Sequence, residues 1–80
     1  MPEEYWVVVD DYDYEERETS YMVVLRTQHE SVARSKAKAW MKFYQKLGYQ
    51  FYGDEDTTIL ANKRHEIKIH VLQNLISMPQ

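Results

Sequence analysis

Residues Thr27 to Gly48 read as a single amphipathic helix in a chain of only 80 residues, and every other segment must pack around it. Thr27-Gln28-His29-Glu30 fits a capping box, in which the threonine hydroxyl and the glutamate side chain satisfy each other's backbone N–H groups. Gly48 stands where a left-handed residue ends a helix, because glycine has no Cβ to clash there. Tyr44 and Tyr49 then occupy the positions that make the accompanying apolar contact. At about 100° per residue, Val32, Ala33, Ala37, Trp40, Met41, Phe43, Tyr44 and Leu47 fall on one half of the surface. Arg34, Lys38, Lys42 and Lys46 form a row on the other half. They stack like charges one turn apart, at a cost of roughly 0.2–0.5 kcal/mol per pair. No acid between Ser31 and Gly53 relieves them.

The flanking segments predict strands. Residues 4–12 and 19–26 are rich in β-formers and pair most simply as an antiparallel hairpin, its tip near Asp13-Tyr14-Glu15-Glu16. Strict alternation would put Tyr5, Val7, Val9, Val23 and Leu25 on one face, and Trp6, Val8, Met22 and Val24 on the other. Both faces are apolar, yet one helix covers only one. After Gly48 come a short strand at residues 49–52, a turn at Gly53-Asp54-Glu55-Asp56, a strand at 57–61, a turn at 62–64 and a strand at 65–71. In the last strand Ile67, Ile69 and Val71 oppose Glu66, Lys68 and His70. Leu72 to Met78 either prolongs that strand or forms a short helical face, and Pro79 ends it. The fold class is α+β, order β-β-α-β-β, one domain over residues 1–80. An antiparallel or mixed sheet carries the helix, about 28–47, on one face. The predicted core is Val7, Val9, Val23, Leu25, Ala37, Trp40, Met41, Tyr44, Leu47, Ile67 and Ile69.

The net charge of −3 is unevenly spread. Residues 1–18 hold eight acids against Arg17, a balance of −7, whereas residues 19–53 carry +5 and residues 54–80 carry −1. There is no cysteine, so neither a disulfide framework nor a thiolate zinc site can form. The longest apolar runs are five residues, too short for a membrane-spanning helix. Met-Pro-Glu-Glu lacks the basic and apolar parts of a signal peptide. A cytoplasmic protein, in the producing cell or in a host, is the expectation.

Catalytic and metal motifs are scarce. His65 and His70 are five apart on a strand, so they point to opposite faces, where a zinc helix would need a spacing of four. Asp11, Asp13 and Glu15 alternate, but the glycine and distal glutamate of a calcium loop are missing. Carboxylates at a hairpin tip are solvated and make poor general acids. The expectation is a non-enzyme with no cofactor and no metal.

Asp10, Asp11, Tyr12, Asp13, Tyr14, Glu15 and Glu16 form the most unusual stretch. Acids interleaved with tyrosines suit docking on a basic groove, where carboxylates mimic phosphates and the rings supply rigid contact area. The first expectation is therefore a protein-interaction module, an inhibitor or adaptor. It would act through this hairpin and the uncovered sheet face. In size and charge layout, though in no motif, the chain resembles accessory inhibitors of phages and mobile elements. The alternatives are a nucleic-acid binder using Arg34, Lys38, Lys42 and Lys46 on phosphates, and a homodimer that closes the open face. No membrane partner is expected.

Overall fold

The computed structural model describes residues 3–53 and 57–75. Residues 54–56 of the predicted turn at 53–56 and the tail from residue 76 onward lie outside them. Five strands and one helix follow in order: β1 (Glu3–Asp13), β2 (Glu18–Thr27), α1 (Glu30–Lys46), β3 (Gln50–Phe51), β4 (Thr58–Ala61) and β5 (His65–Leu75). They make one antiparallel sheet of order β2-β1-β5-β4-β3, with α1 across one face. The β-β-α-β-β reading is correct. β5 runs on through Leu72 to Leu75, so over those residues the tail prolongs the last strand and is not helical.

β1 lies between β2 and β5, and its pairing with β5 runs unbroken from Glu3↔Leu75 to Asp13↔His65. This register sets Val7 and Val9 beside Val71 and Ile69 on the helix side. Leu60 of β4 joins them opposite Ile67. Val7, Val9, Leu60, Ile67, Ile69 and the helix residue Ala33 form the buried core. Tyr5, Val24, Leu25, Ala37, Trp40, Met41 and Tyr44 pack around it half-buried. Leu60 and Ala33 belong to the core although neither is in the predicted core, Ala33 having been placed only on the apolar half of the helix. Leu47 does not belong to it: it caps the helix end and is 60% exposed.

β2 departs from strict alternation. Val7 faces Leu25 and Val8 faces Val23, which leaves Val24 as an extra residue in a bulge. Beyond the bulge the sides of β2 are inverted relative to the predicted pattern. Val24 and Leu25 both pack on the helix side, and Met22 follows Val9 onto that side. Val23 moves to the opposite face beside Val8 and is exposed, so its predicted place in the core is wrong.

The two helix ends differ in how far they follow local sequence. At the C-terminus Gly48 adopts φ 96°, its N–H donates to the Gln45 carbonyl at 3.0 Å, and Tyr49 N–H donates to the Tyr44 carbonyl at 3.1 Å. The Tyr44 and Tyr49 rings meet edge to face at 5.1 Å. This is the Schellman pattern read from the sequence. The N-terminal capping box does not form. Thr27 is still paired with Tyr5 in the sheet, so its backbone cannot start a helix. His29 is the N-cap instead, and the Thr27 hydroxyl accepts the His29 N–H at 3.1 Å.

The glycines test these backbone assignments. A Cβ on Gly48 would meet nothing within 4 Å, so Gly48→Ala should cost only the left-handed strain, about 1–2 kcal/mol. A Cβ on Gly53 would overlap the Thr57 carbonyl oxygen. Gly53→Ala should therefore lower the denaturation midpoint more than Gly48→Ala, although Gly48 is the one with positive φ. Equal losses in urea titrations would contradict this.

Candidate functional site

The acidic tyrosine stretch is divided between strand and loop. Asp10, Asp11, Tyr12 and Asp13 lie in β1, whereas Tyr14, Glu15 and Glu16 lie in the loop to β2. Because alternate strand residues point to opposite faces, the acids separate, and each finds a base on β5 or its preceding turn. On the helix side the Asp11 carboxylate accepts from Nδ1 of His65 at 2.8 Å. On the other side Asp10 accepts from Nε2 of His70 at 2.9 Å. Asp13 meets Nε of Arg64 at 3.3 Å, and Glu15 lies 3.7 Å from the same guanidinium. The two histidines thus face opposite sides, each with its own aspartate, and do not converge on one ion. Burial, with the Asp11 charge added to it, holds the Tyr44 and Tyr49 phenols above their ordinary pKa.

The loop is built by Asp13. Its Oδ1 accepts the N–H groups of Glu15 at 2.9 Å and Glu16 at 3.2 Å, and its carbonyl accepts from Arg17 at 2.7 Å. Arg17 closes the turn at φ 58°, a left-handed conformation unusual for a residue with a Cβ. Tyr14 N–H donates to the Arg64 carbonyl at 2.8 Å, which fastens the tip to the β4–β5 turn. Tyr12 and Tyr14 pack edge to face at 5.6 Å. Burial first, then Glu66, Tyr52 and Tyr12, push the Tyr14 phenol up. After these pairings Glu16, Glu18 and Glu66 make no ion pair among the described residues.

No described element covers the sheet face opposite α1. The register places Trp6, Val8, Asp10 and Tyr12 of β1 there, beside Arg26, Val23, Tyr21 and Thr19 of β2 and Leu72, His70, Lys68 and Glu66 of β5. The Arg26 guanidinium stacks on Trp6 at 4.3 Å, and the indole N–H donates to Glu4. At the hairpin end, Asp10, Tyr12, Thr19, Tyr21, Glu66 and Lys68 line an open groove of about 250 Å³. It holds two carboxylates against one amine. Trp6 was expected on the uncovered face, whereas Arg26 and Glu66 were not among the candidate site residues. The even-numbered alternation of β5 pointed to Glu66, but its neighbours depend on a register that is not local.

The basic helix row is exposed as predicted, but one of its charges is relieved. Glu30 sits a turn before Arg34 and pairs with it at 2.9 Å. Freed from the expected cap, its carboxylate is within reach at i, i+4. Lys38, Lys42 and Lys46 make no ion pair among the described residues. Trp40 and Phe43, 5.6 Å apart, line a shallow apolar groove beside this row together with Lys36 and Ala39.

No protein family, no curated protein and no solved structure matches the chain. Among the described residues no helix is long and apolar enough to cross a membrane.

Asp13 gives the arrangement a measurable signature. Partial burial works to raise its pKa, but the loop N–H groups of Glu16 and Glu15 and the Arg64 guanidinium outweigh that and hold it below the ordinary 3.8. A carboxyl depressed by folding contributes stability that is present above its unfolded pKa and lost as pH falls through its folded value. Asp13→Asn keeps an Oδ1 acceptor for the loop but cannot titrate. The variant should lose less stability than wild type between pH 4.5 and the acid limit, measured by urea unfolding. Parallel acid profiles would show that Asp13 is not depressed.

Proposed function

We propose that this chain is a non-enzymatic protein-interaction module of the inhibitor or adaptor kind, acting in the cytoplasm. It binds a basic surface of another protein against the hairpin end of its open sheet face. The observation that carries this reading is the groove on the uncovered face, where Tyr12 and Tyr21 stand with Asp10 and Glu66. A lysine or arginine side chain entering there meets two aromatic rings and an excess of carboxylate, which is the chemistry of cation–π and charge-assisted recognition. Glu16, at the tip and without an ion pair among the described residues, extends the negative field beyond the groove and would speed encounter with a basic partner. Small accessory inhibitors of phages and mobile elements share this combination of small size and polarised charge.

A second reading rests on Lys38, Lys42 and Lys46, exposed in a row without ion pairs among the described residues. Phosphate contacts by these three would give a log–log salt slope of about −3. The −7 balance of residues 1–18 opposes it, because the same backbone would be repelled.

One capture experiment separates the two. Tagged wild type, Glu16→Lys/Glu66→Lys and Lys38→Glu/Lys42→Glu are exposed to lysate of the source organism, and retained protein and nucleic acid are identified. The module reading predicts a basic protein, purified and re-bound with an affinity at least about tenfold weaker for the Glu16→Lys/Glu66→Lys variant and unchanged for the other. Retention of nucleic acid that vanishes only in Lys38→Glu/Lys42→Glu would overturn it.

A further inference from the structure

The sheet treats its two edges differently. β3, at one edge, is two residues long, and so short a strand offers little to pair with. β2, at the other edge, runs ten residues from Glu18 to Thr27. It contains no proline, glycine or lysine, residues that blunt an edge. Glu18 to Val23 are all exposed and stay in unbroken register with β1 up to the bulge at Val24. Their β-forming side chains include Tyr21, which is 71% exposed. No described strand pairs with their outer backbone groups. Short of the bulge at Val24, Glu18 is the one charged residue on this edge, and an edge so lightly guarded is a template for another strand.

Two observations select the occupant. On the open face β2 presents Thr19, Tyr21 and Val23, a β-branched, aromatic, β-branched row that reads the same in either direction. The ends of the strand also carry opposite net charge: the loop side holds Glu15, Glu16 and Glu18 against Arg17, and the far side holds Arg26. We propose that a second copy of this chain pairs with β2 in antiparallel register, about a two-fold axis perpendicular to the sheet at Tyr21. This operation places Tyr21 opposite Tyr21, Thr19 opposite Val23 and Ser20 opposite Met22, keeping each residue on its own face. It also brings the acidic loop of each copy toward Arg26 of the other, whereas parallel pairing would set acid against acid. Cross-strand aromatic and β-branched pairs are those that stabilise antiparallel ladders. The contact is isologous and closed, so it stops at two copies. The two five-stranded sheets become one, with both open faces on the same side. The inference rests on the strand edge and not on the groove, although Tyr21 and Glu16 belong to both surfaces.

The test is mass and amide exchange on the full chain. Light scattering after size exclusion should give twice the 9.7 kDa monomer mass at high concentration and fall toward it on dilution. Tyr21→Lys sets like charges against each other on the axis and should give the monomer mass with an unchanged circular dichroism spectrum. Gln45→Lys, the same charge change on the exposed helix, should remain dimeric. In wild type, alternate amides of residues 18–23 should be protected at high concentration and lose protection on dilution, a readout that needs no variant. A mass of 9.7 kDa at every concentration would overturn the proposal. So would a dimer in which those alternate amides exchange freely.

Discussion

The structure depends on how β1, flanked by strands on both sides, satisfies its acids. Asp10, Asp11 and Asp13 occupy the end of a strand whose other half supplies much of the core. Carboxylates so close together repel, and a sheet leaves them little room to move apart. The solution lies across the strand pair. Arg64, His65 and His70 belong to β5 or its turn, and the register from Glu3↔Leu75 to Asp13↔His65 delivers them to the acids. Each of these pairs is partly exposed and contributes little, whereas burying one valine or isoleucine contributes about 1.5–3 kcal/mol. The aliphatic core therefore supplies the stability, and the pairs choose the alignment. A one-residue slip would put Val7 and Val9 on the wrong face and also strand the acids.

The same register decides what is left to bind. Ala33 is the one residue of α1 that is fully buried, and from β2 Val24 and Leu25 pack against the same core. No described element lies over the far face of β1 and β5, where neighbouring side chains alone bury Val8, and the first six residues of β2 stay exposed. The groove at the hairpin end and the lightly guarded strand edge are two consequences of laying one helix on a five-stranded sheet. The bulge at Val24 sharpens the division, because it turns Val23 outward while sending Val24 and Leu25 under the helix.

What the sequence revealed follows how local each interaction is. The end of α1 was legible because Tyr44, Gly48 and Tyr49 settle it among themselves. The start was not, because Thr27 is held by Tyr5, a partner 22 residues away, and that pairing overrides its capping preference. The bulge was hidden by an apolar run, Met22 to Leu25, in which either side could be buried. Asp13 did carry a local signal: an aspartate before a turn accepts N–H groups two and three residues on, which explains how a hairpin can close without Asn-Gly. The side chains that pair with the acids lie more than 50 residues along the chain. No periodicity reports such a distance, so residues that looked like a solvated acidic loop proved to be half a cross-strand network.

The β1–β5 register is the central claim, and proton NMR measures it directly. Cross-strand contacts between Hα protons, which mark non-hydrogen-bonded pairs of an antiparallel ladder, should fall only on partners in the series Val7–Val71, Val9–Ile69, Asp11–Ile67 or on the interleaved series Val8–His70, Asp10–Lys68, Tyr12–Glu66. Contacts displaced by one residue, such as Val9 to Lys68, would contradict it.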